Sequence, residues 1–163
     1  MLKTSILKHL SQAHQSHISW MKSANKSISS SINNQNSTPF DATECSLGVW
    51  LNYEGKALRK IKTLNKIIER IEIEHNKLHN IYLNIYQIFF MLPKQKSFLE
   101  KLFNFYSKTE NEEVQEAVKL HFKDIEEDSK RLIELLKELE RRIDSLPFDK
   151  IDIKTKKPFK RAV

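Results

Sequence analysis

Leu64-Asn65-Lys66-Ile67-Ile68-Glu69-Arg70-Ile71-Glu72-Ile73-Glu74-His75-Asn76-Lys77-Leu78-His79-Asn80-Ile81-Tyr82 holds neither glycine nor proline, and its apolar positions recur at steps of three and four. That is the period of one face of an α-helix. Followed in both directions, the stripe reads Leu58, Ile61, Leu64, Ile68, Ile71, His75, Leu78, Tyr82, Ile85 and Phe89. It predicts a helix from about Leu58 to Leu92, stopped by Pro93. His75 lies on the stripe and His79 one step aside, which places both at the edge of a core. Four residues apart on a helix, the two rings share a face and can reach one ion.

Upstream, residues 2 to about 30 read as a first helix, with Ile6, Leu10, Ala13, His17, Trp20 and Ala24 on one stripe. Ser27 to Pro39 is rich in Ser and Asn and reads as a loop. Asp41 or Thr43 is then expected to cap a short helix carrying Cys45 near its N-terminus, where the helix dipole favours thiolate. Gly48 within that helix suggests close approach by a neighbouring helix, and Gly55 marks the helix end or a bend. Downstream, Phe98, Leu99, Leu102, Phe103 and Tyr106 suggest a shorter helix, and the polar stretch Ser107 to Glu112 a turn. From about Glu113 to Leu146, Val118, Phe122, Ile125, Ser129, Leu132, Leu136, Leu139, Ile143 and Leu146 form a heptad stripe with Ser129 as its one polar position. Such a stripe serves either as the wall of an intramolecular bundle or as a dimer seam.

The fold expected is all-α, an antiparallel four-helix-type bundle with a long C-terminal helix. Its parts are a first domain over 1–92, a helical extension completing the bundle over 93–146 and a basic flexible tail over 147–163. The stock of 2 Gly and 4 Pro in 163 residues allows few turns. A single cysteine excludes an internal disulfide framework. The first residues lack a signal-peptide core, and no apolar run is long enough to span a membrane, so a soluble, cytoplasmic protein with no membrane insertion is expected. The net charge of +7 and pI near 9.4 come from scattered basic residues. Only Lys150, Lys154, Lys156, Lys157, Lys160 and Arg161 cluster, in the tail. Charge alone supplies sequence-independent attraction, and without a helix-turn-helix or aromatic platform no nucleic-acid partner is expected. No Gly-rich phosphate loop, nucleophile elbow or His-Glu-x-x-His helix is present, and the residues after His75 are Asn76 and Lys77. The chain is therefore read as a non-enzyme.

Cys45, His17, His75 and His79 together make one thiolate and three imidazoles, a complete donor set for zinc. Four protein ligands leave no open position for an activated water, which favours a sensory or structural metal over a hydrolytic one. Taken singly, a His-x-x-x-His pair recurs by chance, and a lone cysteine is ordinarily a small buried hydrophobe.

Three blocks in order alter that balance: His17-Ile18-Ser19-Trp20, Cys45-Ser46-Leu47-Gly48-Val49-Trp50 and His75-Asn76-Lys77-Leu78-His79. They closely resemble the chemoreceptor zinc-binding (CZB) domain family, whose pattern is a His followed three residues later by Trp, a Cys-x-Leu/Phe-Gly-x-Trp segment and a His-x-x-x-His pair. The resemblance covers roughly residues 8 to 90. It implies that His17, Cys45, His75 and His79 ligate Zn2+, that Gly48 and Trp50 belong to the packing around them, and that the protein is a homodimer. Trp20 and Trp50 are expected to cover the site, with plain core packing as the alternative. A partner acceptor for a ligating imidazole is expected among Asp41, Glu44 and Glu74. His14, His9 and His121 lie outside the motif and read as surface or edge residues, His14 being near enough to His17 to be a neighbour or substitute ligand. In the family the zinc module is typically fused to a chemoreceptor signalling region or a cyclic-dinucleotide-synthesising domain, neither of which this chain contains. The function expected is a stand-alone zinc sensor in which metal occupancy or Cys45 oxidation changes helix packing, read by such a signalling partner in chemotaxis or redox sensing. The alternative is a structural zinc site in a helical adaptor that binds a partner helix.

Overall fold

The computed structural model describes residues 3–29, 41–86, 109–147 and 151. Every element among them is helical: α1 Lys3–Ser29, α2 Ser46–Trp50, a π-helical turn Leu51–Gly55, α3 Lys56–Leu58, α4 Lys62–Tyr86 and α5 Thr109–Ser145. Among these residues no helix is long and apolar enough to cross a membrane. The helix expected around 98–106 and the basic cluster from Lys154 to Arg161 lie outside the described residues.

Cross-helix contacts give the direction of each element. Lys77 meets Asp128 and the Arg142 guanidinium donates to the Thr63 carbonyl, so α4 and α5 run antiparallel. The Lys3 ammonium donates to the carbonyls of Asp144 and Leu146, setting α1 antiparallel to α5. His9 meets Glu54 while His17 lies by Cys45, the residue just before α2, so the α2–α3 segment descends along α1. Among the described residues the result is an up-down-up-down bundle of four helical segments, in keeping with the expected all-α antiparallel bundle.

The core gathers one face from each segment. Ile6, Leu10 and Ala13 of α1, Leu47 and Trp50 of α2, Leu64, Ile68 and Ile71 of α4, and Leu132, Leu136, Leu139 and Ile143 of α5 are all buried. The heptad face of α5 from Ile125 to Ile143 is thus covered within the chain, by α4 and α1. The polar member of that face is Asp128, which is wholly buried, whereas Ser129 is half-buried. Asp128 holds Lys77 at 2.8 Å and contacts Arg131, which supplies the charge pairing a buried carboxylate requires. Lys3, also buried, places a cation at the carbonyl end of α5, where the helix dipole favours it. Ile151, beyond α5, is buried as well.

Three boundaries differ from expectation. The long helix begins at Lys62, not Leu58, because Arg59 to Ile61 form a turn closed by the Ile61 amide on the Leu58 carbonyl at 2.9 Å. Leu58 therefore packs from the end of the preceding helix. Gly55 neither ends nor bends that helix outward: its backbone is right-handed helical, and a π-helical turn carries the chain through it into α3. A Cβ at Gly55 would lie 3.2 Å from the Trp50 ring, which folds back over it. Finally, α5 starts at Thr109, so 109–112 continue the helix where a turn was expected.

Candidate metal centre

The cysteine is set in place by a tight turn. The Asp41 carboxylate accepts from the Thr43 amide and hydroxyl, each at 2.7 Å, and the Glu44 amide closes on the Asp41 carbonyl at 3.1 Å. Cys45 follows in extended geometry (φ −72°, ψ 157°) and is itself the N-cap of α2, its Sγ accepting from the Gly48 amide at 3.3 Å. Neither Asp41 nor Thr43 caps that helix, contrary to expectation; both cap the turn before it. This turn also explains Gly48. A Cβ there would lie 1.7 Å from the Ala42 carbonyl oxygen, so the close approach is by the preceding turn and not by a neighbouring helix.

Against the sulfur stand three imidazoles from two other helices. His75 Nε2 lies 3.0 Å from Cys45 Sγ. The His17 ring meets that of His75 edge-on at 5.1 Å and lies 6.1 Å from that of His79, and the His75 and His79 rings are 4.7 Å apart. One ligand atom from each of His17, Cys45, His75 and His79 lies within 4.8 Å of all the others, and all four residues are buried. Tetrahedral zinc, with bonds of about 2.0–2.3 Å, places its donors roughly 3.3–3.8 Å apart, so small shifts suit a metal, with the widest spacings closing and the Cys45–His75 pair opening slightly. Both histidines of α4 are 1% exposed; they lie inside the core and not at its edge, because α1 and the Cys45 turn close over them.

Burial sets the electrostatics. It lowers the pKa of His17 to about 3, helped by the nearby His79 and His14, and that of His75 to about 2, helped by His17 and His79. Both rings are therefore neutral at pH 7 and offer lone pairs. Burial pushes the Cys45 thiol up, while the Gly48 and Leu47 amides pull it down and the Asp41 charge pushes it up again. The dipole effect expected at the start of α2 is present, but desolvation outweighs it. A cation would reverse that order. Both ring nitrogens of His17 are buried without a hydrogen-bond partner. Such orphaned groups typically cost about 1–3 kcal/mol each, and a metal accepting one lone pair accounts for that placement.

Trp20 roofs the cluster, stacked on His79 at 4.1 Å and on His17 at 5.3 Å, and meets Tyr82 edge-on at 5.3 Å. Trp50 instead packs in the core over Gly55 and beside Glu54, which fits the core-packing alternative. Asp41 is exposed and engaged with Thr43, and Glu74 lies 4.0 Å from Arg131. His14 is buried, not on the surface, with Nδ1 3.5 Å from Glu140. His9, read as an edge residue, lies 2.7 Å from the buried Glu54. The side chain of His121 lies outside the described residues.

Asp128 and Glu54 escaped the sequence reading. Helical steps of three and four make 128 and 129 equally good neighbours of Ile125 and Leu132, and only the position of Lys77 selects Asp128. Glu54 faces inward because the turn around it is π-helical, which no local pattern announces.

Residues 17–86 match the family model of the chemoreceptor zinc-binding domain. No curated protein and no solved structure matches the chain.

Proposed function

Residues 17–86 form a chemoreceptor zinc-binding domain, and from that premise we propose that the protein is a zinc-binding sensory or regulatory protein whose ligands are His17, Cys45, His75 and His79. The observation that carries this reading is the convergence of three imidazoles and one thiol, all buried, within 4.8 Å. Bound there, zinc supplies a positive charge that keeps the sulfur as thiolate and joins α1, α2 and α4. His17 and His75 offer lone pairs without first losing a proton, since burial already holds them neutral. Cys45 gives up its thiol proton on binding, so affinity falls as pH falls. Four protein donors leave no position for an activated water, which supports a non-catalytic role.

Cys45 is the responsive ligand. A two-electron oxidant such as hypochlorous acid converts its thiolate to sulfenic acid with release of chloride, weakening the sulfur as a donor. The same sulfur caps α2 through the Gly48 amide, so a change at Sγ loosens both the ligand set and the start of that helix. Loss of zinc to a stronger chelator removes the same tie. The setting that fits is cytoplasmic, where thiols stay reduced. A homodimer, with a chemoreceptor or cyclic-dinucleotide enzyme as the reader, completes the proposal.

The test is the metal content of protein purified after metal-replete expression, for wild type, Cys45→Ser and His79→Ala. One zinc per chain is expected in wild type and loss in both variants; a wild type with substoichiometric zinc overturns the reading. Chelation that leaves a folded apo protein supports sensing, and chelation that unfolds the whole chain supports the structural-zinc alternative. Stoichiometric oxidant should release zinc, and no release would remove the redox branch.

A further inference from the structure

A second buried polar constellation ties the Cys45 segment to α1. Glu54 lies in the π-helical turn with its side chain only 1% exposed, and carboxylates are seldom so buried unless paired. Its Oε1 is 2.7 Å from His9 Nδ1. A carboxylate only accepts, so the imidazole carries its proton on that nitrogen. Its Oε2 is buried without a partner in hydrogen-bond geometry, as is the indole Nε1 of Trp50. Burial pushes the Glu54 carboxyl up; the His9 hydrogen bond and charge oppose it, and then the adjacent Trp50 indole. The Trp50 ring also lies against Gly55, where a Cβ would come within 3.2 Å of it.

This contact stands at the far end of a short lever. Helix α2 is five residues long, with Cys45 capping its start and Trp50 ending it. Helix α1 grips the lever twice, at His17 beside the sulfur and at His9 beside Glu54. We propose that Glu54 is a positioning residue for Cys45: through His9 and Trp50 it latches α2 against α1, and so sets both the accessibility of the thiol and the strength of zinc binding. The zinc half rests on the function proposed above; the thiol half does not. The physical drive is asymmetric. Removing His9 leaves a buried carboxylate without its partner, and only opening of the segment returns it to water. The population of the open form therefore rises, and a buried thiol reacts through that form.

The experiment uses the full chain. Alkylation of Cys45 by iodoacetamide is timed in chelator-treated protein, and zinc affinity is read by competition with a chromophoric chelator. Wild type is compared with His9→Ala, His9→Asn and Leu139→Ala, the last a core cavity on α5 that destabilises without removing a member of the latch. His9→Ala should speed alkylation by about tenfold or more and weaken zinc correspondingly, as loss of a charge-assisted bond implies. His9→Asn, whose amide donates from near the Nδ1 position, should recover most of both, while Leu139→Ala stays near wild type. Equal rates in His9→Ala and Leu139→Ala, or no recovery in His9→Asn, overturn the latch. If His9→Ala does not fold, Glu54→Gln against the same control decides. A wild type without zinc defeats the functional reading yet leaves the alkylation rates to judge the latch. Stoichiometric zinc with unmoved rates does the reverse.

Discussion

The two ends of α4 are held by different physics. Toward its start, Leu64, Ile68 and Ile71 belong to the apolar core that α5 lines with Leu132, Leu136, Leu139 and Ile143. One turn further on, His75 and His79 face a thiol and another imidazole. The first region is self-sufficient, since its stabilisation is apolar area removed from water. The second is incomplete as a purely protein structure, because neutral imidazoles and a raised thiol pKa stand together with orphaned ring nitrogens. One helix thus couples an apolar seam to a cluster of metal-ligand chemistry.

Truncating the apolar seam should produce the largest effect. Leu136→Ala, at a fully buried position, is expected to lower stability by about 2–5 kcal/mol, equally with and without zinc. Urea unfolding in both states measures this, and a loss that appears only in the zinc form would break the comparison. Next comes the ligand cluster. With free zinc at about a hundredfold over its dissociation constant, the fold should gain about 2.7 kcal/mol. Cys45→Ser keeps a good N-cap for α2 and should erase that gain while leaving apo stability nearly unchanged. An unchanged zinc-dependent shift in the variant would show that sulfur is not a ligand.

Acid sharpens the contrast in the metal-free protein. The folded pKa values of His17, about 3, and His75, about 2, lie below the ordinary 6.5. Between those limits the unfolded chain binds more protons than the folded one, so stability present above pH 6.5 is lost as pH falls toward 3. The urea midpoint should fall between pH 7 and pH 5, with a flatter slope in His17→Gln; identical slopes would contradict burial of a neutral ring. The smallest effect belongs to the surface. Glu138 on α5 pairs with Arg141 and Arg142 in the open, and Glu138→Gln should leave the thermal midpoint unmoved in either metal state.

Among the described residues most of the α1, α4 and α5 stripes were legible in the sequence, because burial of one helix face imposes a period that survives there. Ile6, Leu10, Ala13, His17 and Trp20 all fall where that period places them. The four candidate ligands were legible for a different reason: three ordered blocks around them resemble the pattern of one family, and the fold does bring them together. The less accurate readings share a cause. Gly48, His14 and Ser129 were assigned by local spacing, whereas the Ala42 carbonyl, Glu140 and Lys77 that give meaning to positions 48, 14 and 128 come from other turns or helices.

By itself, then, the sequence determined that the chain is helical, which faces are apolar and which four side chains have the chemistry to hold a metal, since period and donor type are properties of single residues and their spacing. Only the tertiary structure decided that α5 spends its apolar face from Ile125 to Ile143 inside the chain, that Cys45 caps α2 with the same sulfur that meets His75, and that Glu54 turns inward to His9. Those facts depend on which groups lose water together, and desolvation is decided by packing between segments distant in sequence.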